Sequence, residues 1–134
     1  MDYLQLGDSD LQVSRLCLGT WNMAGQEGWG PENDKTSIDL IRRAQDSGCN
    51  FFDTAHGYGK GRAEALLGKA LAQDDRRERA VIATKVMQCP PPRLEGQLDA
   101  ALRRLRTDYV DPVSYTHLRA HETSLHLVCR LLLE

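Results

Sequence analysis

The sequence lacks an excess of charge, a long apolar run and an abundance of aromatic residues. It holds 17 basic and 19 acidic residues for a net charge of -2, and 6% of its 134 residues are aromatic. A chain so balanced has no basic surface for phosphate groups, and no nucleic-acid partner is expected. No apolar stretch reaches the roughly 20 residues that cross a bilayer, and the first residues form neither a basic leader nor an apolar segment. We therefore expect no membrane partner and a cytoplasmic location.

Cysteine is present, but no two cysteines are close in sequence. The four cysteines are widely separated, form no C-x-x-C pair and lie mostly in apolar contexts. A disulfide framework or a zinc site typically shows closer spacing, so we predict reduced thiols that serve packing. These residues are Cys17, Cys49, Cys89 and Cys129.

Histidines near the C-terminus have a spacing that occurs in zinc sites. His117 and His121 stand at i and i+4, and His126 and Cys129 stand at i and i+3. The H-E-x-x-H pattern of zinc proteases is missed by one residue, because His121-Glu122 is followed by His126. We therefore predict no metal and interpret this segment as an amphipathic helix.

Strand-like and helix-like periods alternate along the chain. The helical stretches carry apolar residues at i, i+3, i+4 and i+7, and turn residues separate them from apolar strands. Because right-handed crossovers make successive strands neighbours, this order predicts an α/β fold with a parallel sheet. The chain is too short for a complete eight-stranded barrel of about 250 residues. The predicted elements are a hairpin over 3–13, strands over 13–21, 50–54, 80–86 and 109–111, and helices over 35–47, 62–72 and 93–106.

The stretch 49–64 gathers polar groups where a strand passes into a helix. Asp53 ends an apolar strand, Tyr58 lies in a glycine-containing loop, and Glu64 follows near the positive end of a helix. Lys85 lies near the end of the next strand, and the period of two points it to the same face as Asp53. In parallel α/β folds the carboxyl ends of the strands are the usual place for chemistry. Asp53, Tyr58 and Lys85 therefore form the candidate site.

A carboxylate, an amine and a phenol in contact are suited to proton transfer. A carboxylate keeps a partly buried lysine protonated, and a neighbouring cation lowers the pKa of a phenol by stabilising its anion. Such a phenol can exchange a proton with an oxygen, as in the reversible reduction of a carbonyl group. The alternative is a structural ion pair between Asp53 and Lys85, with Tyr58 as a surface turn residue. The loop is not a G-x-G-x-x-G fingerprint, because Arg62 stands at the third glycine.

Three segments of the chain resemble the aldo-keto reductases. Residues 48–70 are similar to the first signature of that family, residues 94–111 to its second signature, and residues 13–21, which end in Gly-Thr-Trp, to its first barrel strand. The resemblance covers roughly residues 2–111. It implies a partial (β/α)8 TIM barrel, with an N-terminal hairpin and three to four βα units, and NADPH-dependent reduction of aldehydes or ketones without a metal.

The resemblance also implies a role for individual residues. Tyr58 is implied as the general acid, Lys85 as the residue that lowers its pKa, and Asp53 as the partner of Lys85 near the nicotinamide ribose. For His56 the alternative is an ordinary loop histidine. The residues implied at the cofactor are Gly19, Thr20 and Asp53, and those implied at the small carbonyl substrate are Trp21 and His56.

The resemblance ends at residue 111. The family has a histidine five places beyond Asp111, where this chain has Thr116, and His117 is one residue late, which in a strand reverses the side chain. Residues 112–134 resemble translated sequencing-adapter tails instead, so we predict a truncated barrel domain over 2–111 and a tail without a selected function. Pro112 also lacks the N–H group of a central strand.

Two functions of different classes therefore remain. The first is an oxidoreductase, or the N-terminal half of one, and the second is a non-catalytic barrel fragment or interaction module. An open parallel sheet leaves backbone groups unpaired, so we expect the chain alone to be inactive and prone to aggregation.

Overall fold

The structure is a computed structural model that describes residues 1–25, 33–86, 91–111 and 113–115. Several of the predictions above concern residues outside these ranges and are neither supported nor opposed by the fold. They involve Cys89, Thr116, His117, His121, His126 and Cys129.

The chain forms an α/β fold in which strands and helices alternate, as predicted. A hairpin precedes the alternating part, and a 3-10 turn over Trp21–Ala24 follows the third strand. In chain order the elements are β1 (Tyr3–Gln5), β2 (Gln12–Ser14), β3 (Cys17–Gly19), α1 (Asp34–Asp46), β4 (Phe51–Asp53), α2 (Arg62–Leu71), β5 (Val81–Val86), α3 (Pro91–Leu105) and β6 (Val113–Tyr115).

The sheet is parallel and has the order β3-β4-β5-β6. Asp53 on β4 pairs with Gly19 on β3 and with Ala83 on β5. Helices α1, α2 and α3 pack beside the sheet, and the core lies between the two layers. Its members are Met23, Ile41, Phe52, Leu66, Leu67, Ala70, Leu71, Ala80, Ile82, Leu105 and Val110.

The first strand is shorter than predicted. The continuous strand expected over 13–21 is divided between β2, which pairs with β1, and β3, which pairs with β4. Ser14 explains the break, because its N–H group donates to Asn50 Oδ1 at 2.7 Å and its hydroxyl donates to the Leu16 carbonyl at 2.7 Å. These contacts hold the bend between β2 and β3.

The fourth strand of the parallel sheet is displaced toward the C-terminus. It was predicted at residues 109–111, but β6 is formed by Val113–Tyr115. The Asp111 side chain accepts a hydrogen bond from the Ile82 N–H group at 2.9 Å. This N–H group would otherwise donate to the backbone of an adjacent strand. The strand therefore begins after Pro112, beyond the predicted domain boundary at residue 111.

The charged connection after α2 is not wholly solvated. Arg77 is 8% exposed and donates to the carbonyls of Ala80 at 2.8 Å and Tyr109 at 2.9 Å. It also contacts Asp111 at 3.2 Å and lies 3.8 Å from the centre of the Tyr109 ring. Arg77 thus fastens the turn before β5 to the turn after α3.

No helix within the described ranges is long and apolar enough to span a membrane.

Candidate active site

Asp53 and Lys85 meet at the carboxyl ends of β4 and β5. Because Asp53 is in register with Ala83, Lys85 lies two residues further along its strand and points to the same face. Lys85 Nζ donates to Asp53 Oδ1 at 2.5 Å and to the Thr54 carbonyl at 3.2 Å. The side chains are 24% and 34% exposed, so the ion pair is accessible from one side.

Tyr58 completes the group from the loop between β4 and α2. Lys85 Nζ donates to Tyr58 Oη at 3.2 Å, and Tyr58 Oη donates to Asp53 Oδ2 at 3.4 Å. Gly59 shapes the loop, because it has a φ of +60° and a Cβ atom there would lie 2.6 Å from the Ala24 carbonyl oxygen. The structure therefore brings together the three residues that were predicted to form the site.

Thr20 holds the backbone beneath the site. It is fully buried, and both its N–H group and its hydroxyl donate to the Asp53 carbonyl, each at 3.0 Å. A hydroxyl committed in this way supports Asp53 from β3 and presents no free surface to a cofactor. Its neighbour Gly19 borders open space, since no atom lies within 4 Å of a Cβ built there.

Trp21 and His56 lie beside the three polar groups. The exposed Trp21 ring has its centre 6.5 Å from that of Tyr58, and the two rings are inclined at 42°. His56 is half-buried, and its Nδ1 atom is buried without a hydrogen-bond partner among the described residues. Trp21 is therefore adjacent to Tyr58, and the roles of Trp21 and His56 remain predictions.

Cys17 shares the electrostatic environment of the site. Although its side chain is partly exposed, desolvation raises the pKa of the thiol to about 11, and the nearby Asp53 carboxylate contributes to this increase. The charge of Asp53 therefore affects the pKa of Cys17 in addition to its contacts with Lys85 and Tyr58.

A buried polar contact behind the site was missed by sequence reasoning. Glu64 has no exposed surface and accepts from Thr84 Oγ1 at 2.8 Å and from Arg104 Nε at 2.6 Å. The sequence placed Glu64 only near the positive end of a helix. A signal was present, since Glu64 follows Ala63 within the apolar stripe of α2.

Within the described part of the chain, no group of three or more metal-binding side chains is close enough to hold a metal ion.

A family profile now joins these observations to known proteins. The sequence matches the profile of the Aldo/keto reductase family over residues 15–134, which is most of the chain. The chain belongs to the aldo/keto reductase family. The match also spans residues 112–134, for which the motifs gave no resemblance, whereas the two curated relatives described next cover 83% and 87% of the chain. The predicted boundary at residue 111 stays a prediction.

Individual relatives support the assignment. Aldo-keto reductase YhdN of Bacillus subtilis (strain 168) is 36% identical over 121 residues, which is 83% of this chain and 36% of that protein. The NADH-specific methylglyoxal reductase of Escherichia coli (strain K12) is 32% identical over 138 residues, which is 87% of this chain and 42% of that protein.

A solved structure supports the fold. The crystal structure of an aldo-keto reductase from Klebsiella pneumoniae in complex with NADPH superposes with a TM-score of 0.66 at 30% identity. The comparison covers 76% of this chain and 34% of that one. The fold is thus that of a part of an aldo-keto reductase TIM barrel. The chain spans about two-fifths of the length of the curated relatives it matches.

Proposed function

We propose that this chain carries the proton-transfer residues of an NADPH-dependent reductase that converts aldehydes or ketones to alcohols. One observation carries the proposal: Lys85 Nζ lies within hydrogen-bond distance of both Asp53 Oδ1 and Tyr58 Oη, at the carboxyl ends of two adjacent parallel strands. In barrels of this kind that end of the sheet is where catalytic residues lie.

Tyr58 acts as the general acid. The Lys85 ammonium faces the phenol oxygen and stabilises the negative charge that forms when the proton leaves. Asp53 holds the ammonium in place and balances its charge. A carbonyl oxygen beside Tyr58 Oη receives the phenol proton as the alcohol forms, and the Trp21 ring limits the space for its substituents.

The residues present fit the nicotinamide end of a coenzyme. Asp53 keeps a partly exposed carboxylate, which accepts hydrogen bonds from hydroxyl groups such as those of a ribose. The space beside Gly19 is open, since no atom lies within 4 Å of a Cβ built there. When bound, NADPH supplies a hydride for the carbonyl carbon. The Klebsiella structure contains NADPH, whereas the Escherichia coli relative is named for NADH. The preference of this chain for NADPH over NADH is therefore a separate part of the proposal.

The test measures oxidation of NADPH in the presence of 4-nitrobenzaldehyde by a chimaera that joins residues 15–111 of this chain to the remainder of YhdN. Tyr58→Phe removes only the phenol oxygen, and we expect it to lower kcat by at least about 100-fold because the general acid is lost. Tyr109→Phe is the matched control, since Tyr109 lies beside Arg77 away from these residues, and it should retain full activity. Turnover that survives Tyr58→Phe would contradict the mechanism. Repeating the assay with NADH measures the coenzyme preference.

The second candidate is a non-catalytic barrel fragment or interaction module. The observation in its favour is the length of the chain, which covers 36% of YhdN. We propose that these 134 residues alone have little or no turnover. The chimaera that joins residues 15–111 to the remainder of YhdN adds the part of the YhdN length that this chain does not cover. An active chimaera that loses turnover with Tyr58→Phe supports the reductase, whereas an inactive, folded chimaera that does not bind NADPH supports the alternative. The cytoplasmic location also remains a prediction.

A further inference from the structure

One buried carboxylate joins three elements behind the site. Glu64 on α2 has no exposed surface, and each of its two oxygen atoms has its own partner. Thr84 Oγ1 on β5 donates to Oε1 at 2.8 Å, and Arg104 Nε on α3 donates to Oε2 at 2.6 Å. A buried carboxylate is costly unless it is paired and hydrogen-bonded, so the three elements are constrained to keep these distances.

The strand end that carries Lys85 is held through Thr84. Successive side chains of a strand point to opposite faces, so Thr84 points toward α2 while Lys85 points toward Asp53. The contact between Thr84 and Glu64 therefore fixes the backbone from which the Lys85 ammonium reaches Tyr58 Oη at 3.2 Å.

The loop that carries Tyr58 is held through Arg104. Gly61 ends this loop and caps α2 with a φ of +88°, and a Cβ atom there would lie 2.5 Å from Arg104 Nε and 2.6 Å from its Cδ. The arginine side chain therefore lies directly against the end of the loop while it binds Glu64. Glu64 thus connects both supports, one for Lys85 and one for Tyr58.

We propose that Glu64, Thr84 and Arg104 are positioning residues that set the contact between Lys85 and Tyr58. They act through the backbone of β5 and of the loop. The catalytic consequence rests on the proposed function, whereas the geometric consequence does not. Because a displacement of about 1 Å in a catalytic group can cost about 100-fold in rate, the loss of one of these hydrogen bonds should lower kcat by about tenfold.

The test compares Thr84→Val with Thr84→Ser in the full chain. Valine has nearly the shape of threonine but leaves Glu64 Oε1 without its donor, whereas serine keeps the hydroxyl. One readout is the 13C NMR signal of the Tyr58 side chain, identified by its loss in Tyr58→Phe. The other is kcat and KM for the reduction of 4-nitrobenzaldehyde with NADPH, measured with the same substitutions in the chimaera of residues 15–111 with the remainder of YhdN. Ile41→Val, a core substitution in α1, controls for a general loss of stability, and Arg104→Lys replaces Thr84→Val if that variant does not fold.

We expect Thr84→Val to shift the Tyr58 signal and to lower kcat about tenfold with KM unchanged. Thr84→Ser and Ile41→Val should change neither. An unshifted Tyr58 signal in Thr84→Val, or an equal shift in Ile41→Val, overturns the inference. If the unsubstituted chimaera has no turnover, or if the chimaera with Tyr58→Phe retains it, the proposed function has failed separately. The NMR comparison then decides the positioning role alone.

Discussion

At the scale of single residues, Lys85 connects Tyr58 to Asp53 through hydrogen bonds. Its ammonium group has three protons, and they reach three acceptors: Asp53 Oδ1, the Thr54 carbonyl and Tyr58 Oη. The phenol proton is directed at Asp53 Oδ2 over 3.4 Å, which is long for a hydrogen bond between two oxygen atoms. A carbonyl oxygen that approaches Tyr58 can therefore replace a weak contact while the stronger ones remain.

The same electrostatics should suppress the reactivity of Cys17. Desolvation and the Asp53 carboxylate raise the pKa of this thiol from 9.0 to about 11. Because only the thiolate reacts, alkylation by iodoacetamide at pH 8 should be roughly 100-fold slower than for an unperturbed thiol. The folded chain also keeps this proton between about pH 9 and 11, where the unfolded chain loses it, so this contribution to stability is lost as the pH rises. Mass spectrometry of timed digests measures the rate at Cys17.

Asp53→Asn provides the matched comparison for Cys17. It removes one of the two main causes of the raised pKa and leaves Lys85, which acts in the opposite direction. Labelling of Cys17 should therefore become faster in this variant. Labelling of the unsubstituted chain at the rate of a free cysteine would show that the thiol is not desolvated as described.

At the scale of elements, helices α2 and α3 approach each other closely at Gly68. A Cβ atom there would lie 2.5 Å from the Arg104 carbonyl oxygen, so α2 and α3 meet backbone to backbone. Gly68→Ala should lower the free energy of unfolding by about 1–3 kcal/mol, because a backbone must move to make room. Gly96 is the matched control: it is exposed in α3 with no atom within 4 Å of its Cβ position, so Gly96→Ala should stabilise the chain by about 0.5–1 kcal/mol.

Urea unfolding monitored by circular dichroism measures both glycine variants. Opposite signs are expected, because the two substitutions share their helix propensity and differ only in packing. Stabilisation by Gly68→Ala would mean that the two helices are further apart than the structure places them.

Elements with local signals were predicted well. Helix α1 begins where Asn33 accepts from the N–H groups of Lys35 and Thr36, and Gly48 follows its end with a φ of +94°. Both residue types are typical of these positions, because capping depends only on neighbours in the sequence. The contact of Asp53, Tyr58 and Lys85 was also predictable. The strand period fixes the face of the sheet to which Asp53 and Lys85 point, and the parallel order makes their two strands neighbours.

Features that depend on distant partners were not predictable in this way. The position of β6 depends on Asp111, whose side chain takes the N–H group of Ile82, 29 residues earlier. Glu64 and Arg104 are 40 residues apart, and Arg77 binds the carbonyl of Tyr109, 32 residues away. No local pattern distinguishes these charged side chains from solvated ones, because their burial results from how α2, α3 and β5 pack.

At the scale of the whole molecule, the parallel sheet has two outer strands. In the described part of the chain β3 pairs only with β4, and β6 only with β5, whereas in a closed eight-stranded barrel each strand has two neighbours. Leu16, just before β3, is 65% exposed, and Trp21, just after it, is 52% exposed. An unpaired edge flanked by apolar side chains is a surface on which further strands can add.

We therefore expect this chain alone to self-associate through β3, and we expect Leu16→Lys to reduce that association. A lysine beside an edge strand opposes the addition of a second strand for two reasons. The ammonium group must be desolvated when the strands pair, and it repels the same lysine of a second chain. Light scattering measured over a range of protein concentrations reports the effect. Leu40→Lys is the control, since Leu40 is 45% exposed on α1 away from any strand edge and should leave the scattering unchanged. An equal reduction by both variants would indicate general surface hydrophobicity as the cause. A reduction by Leu16→Lys alone would locate the association at the edge where a complete barrel continues.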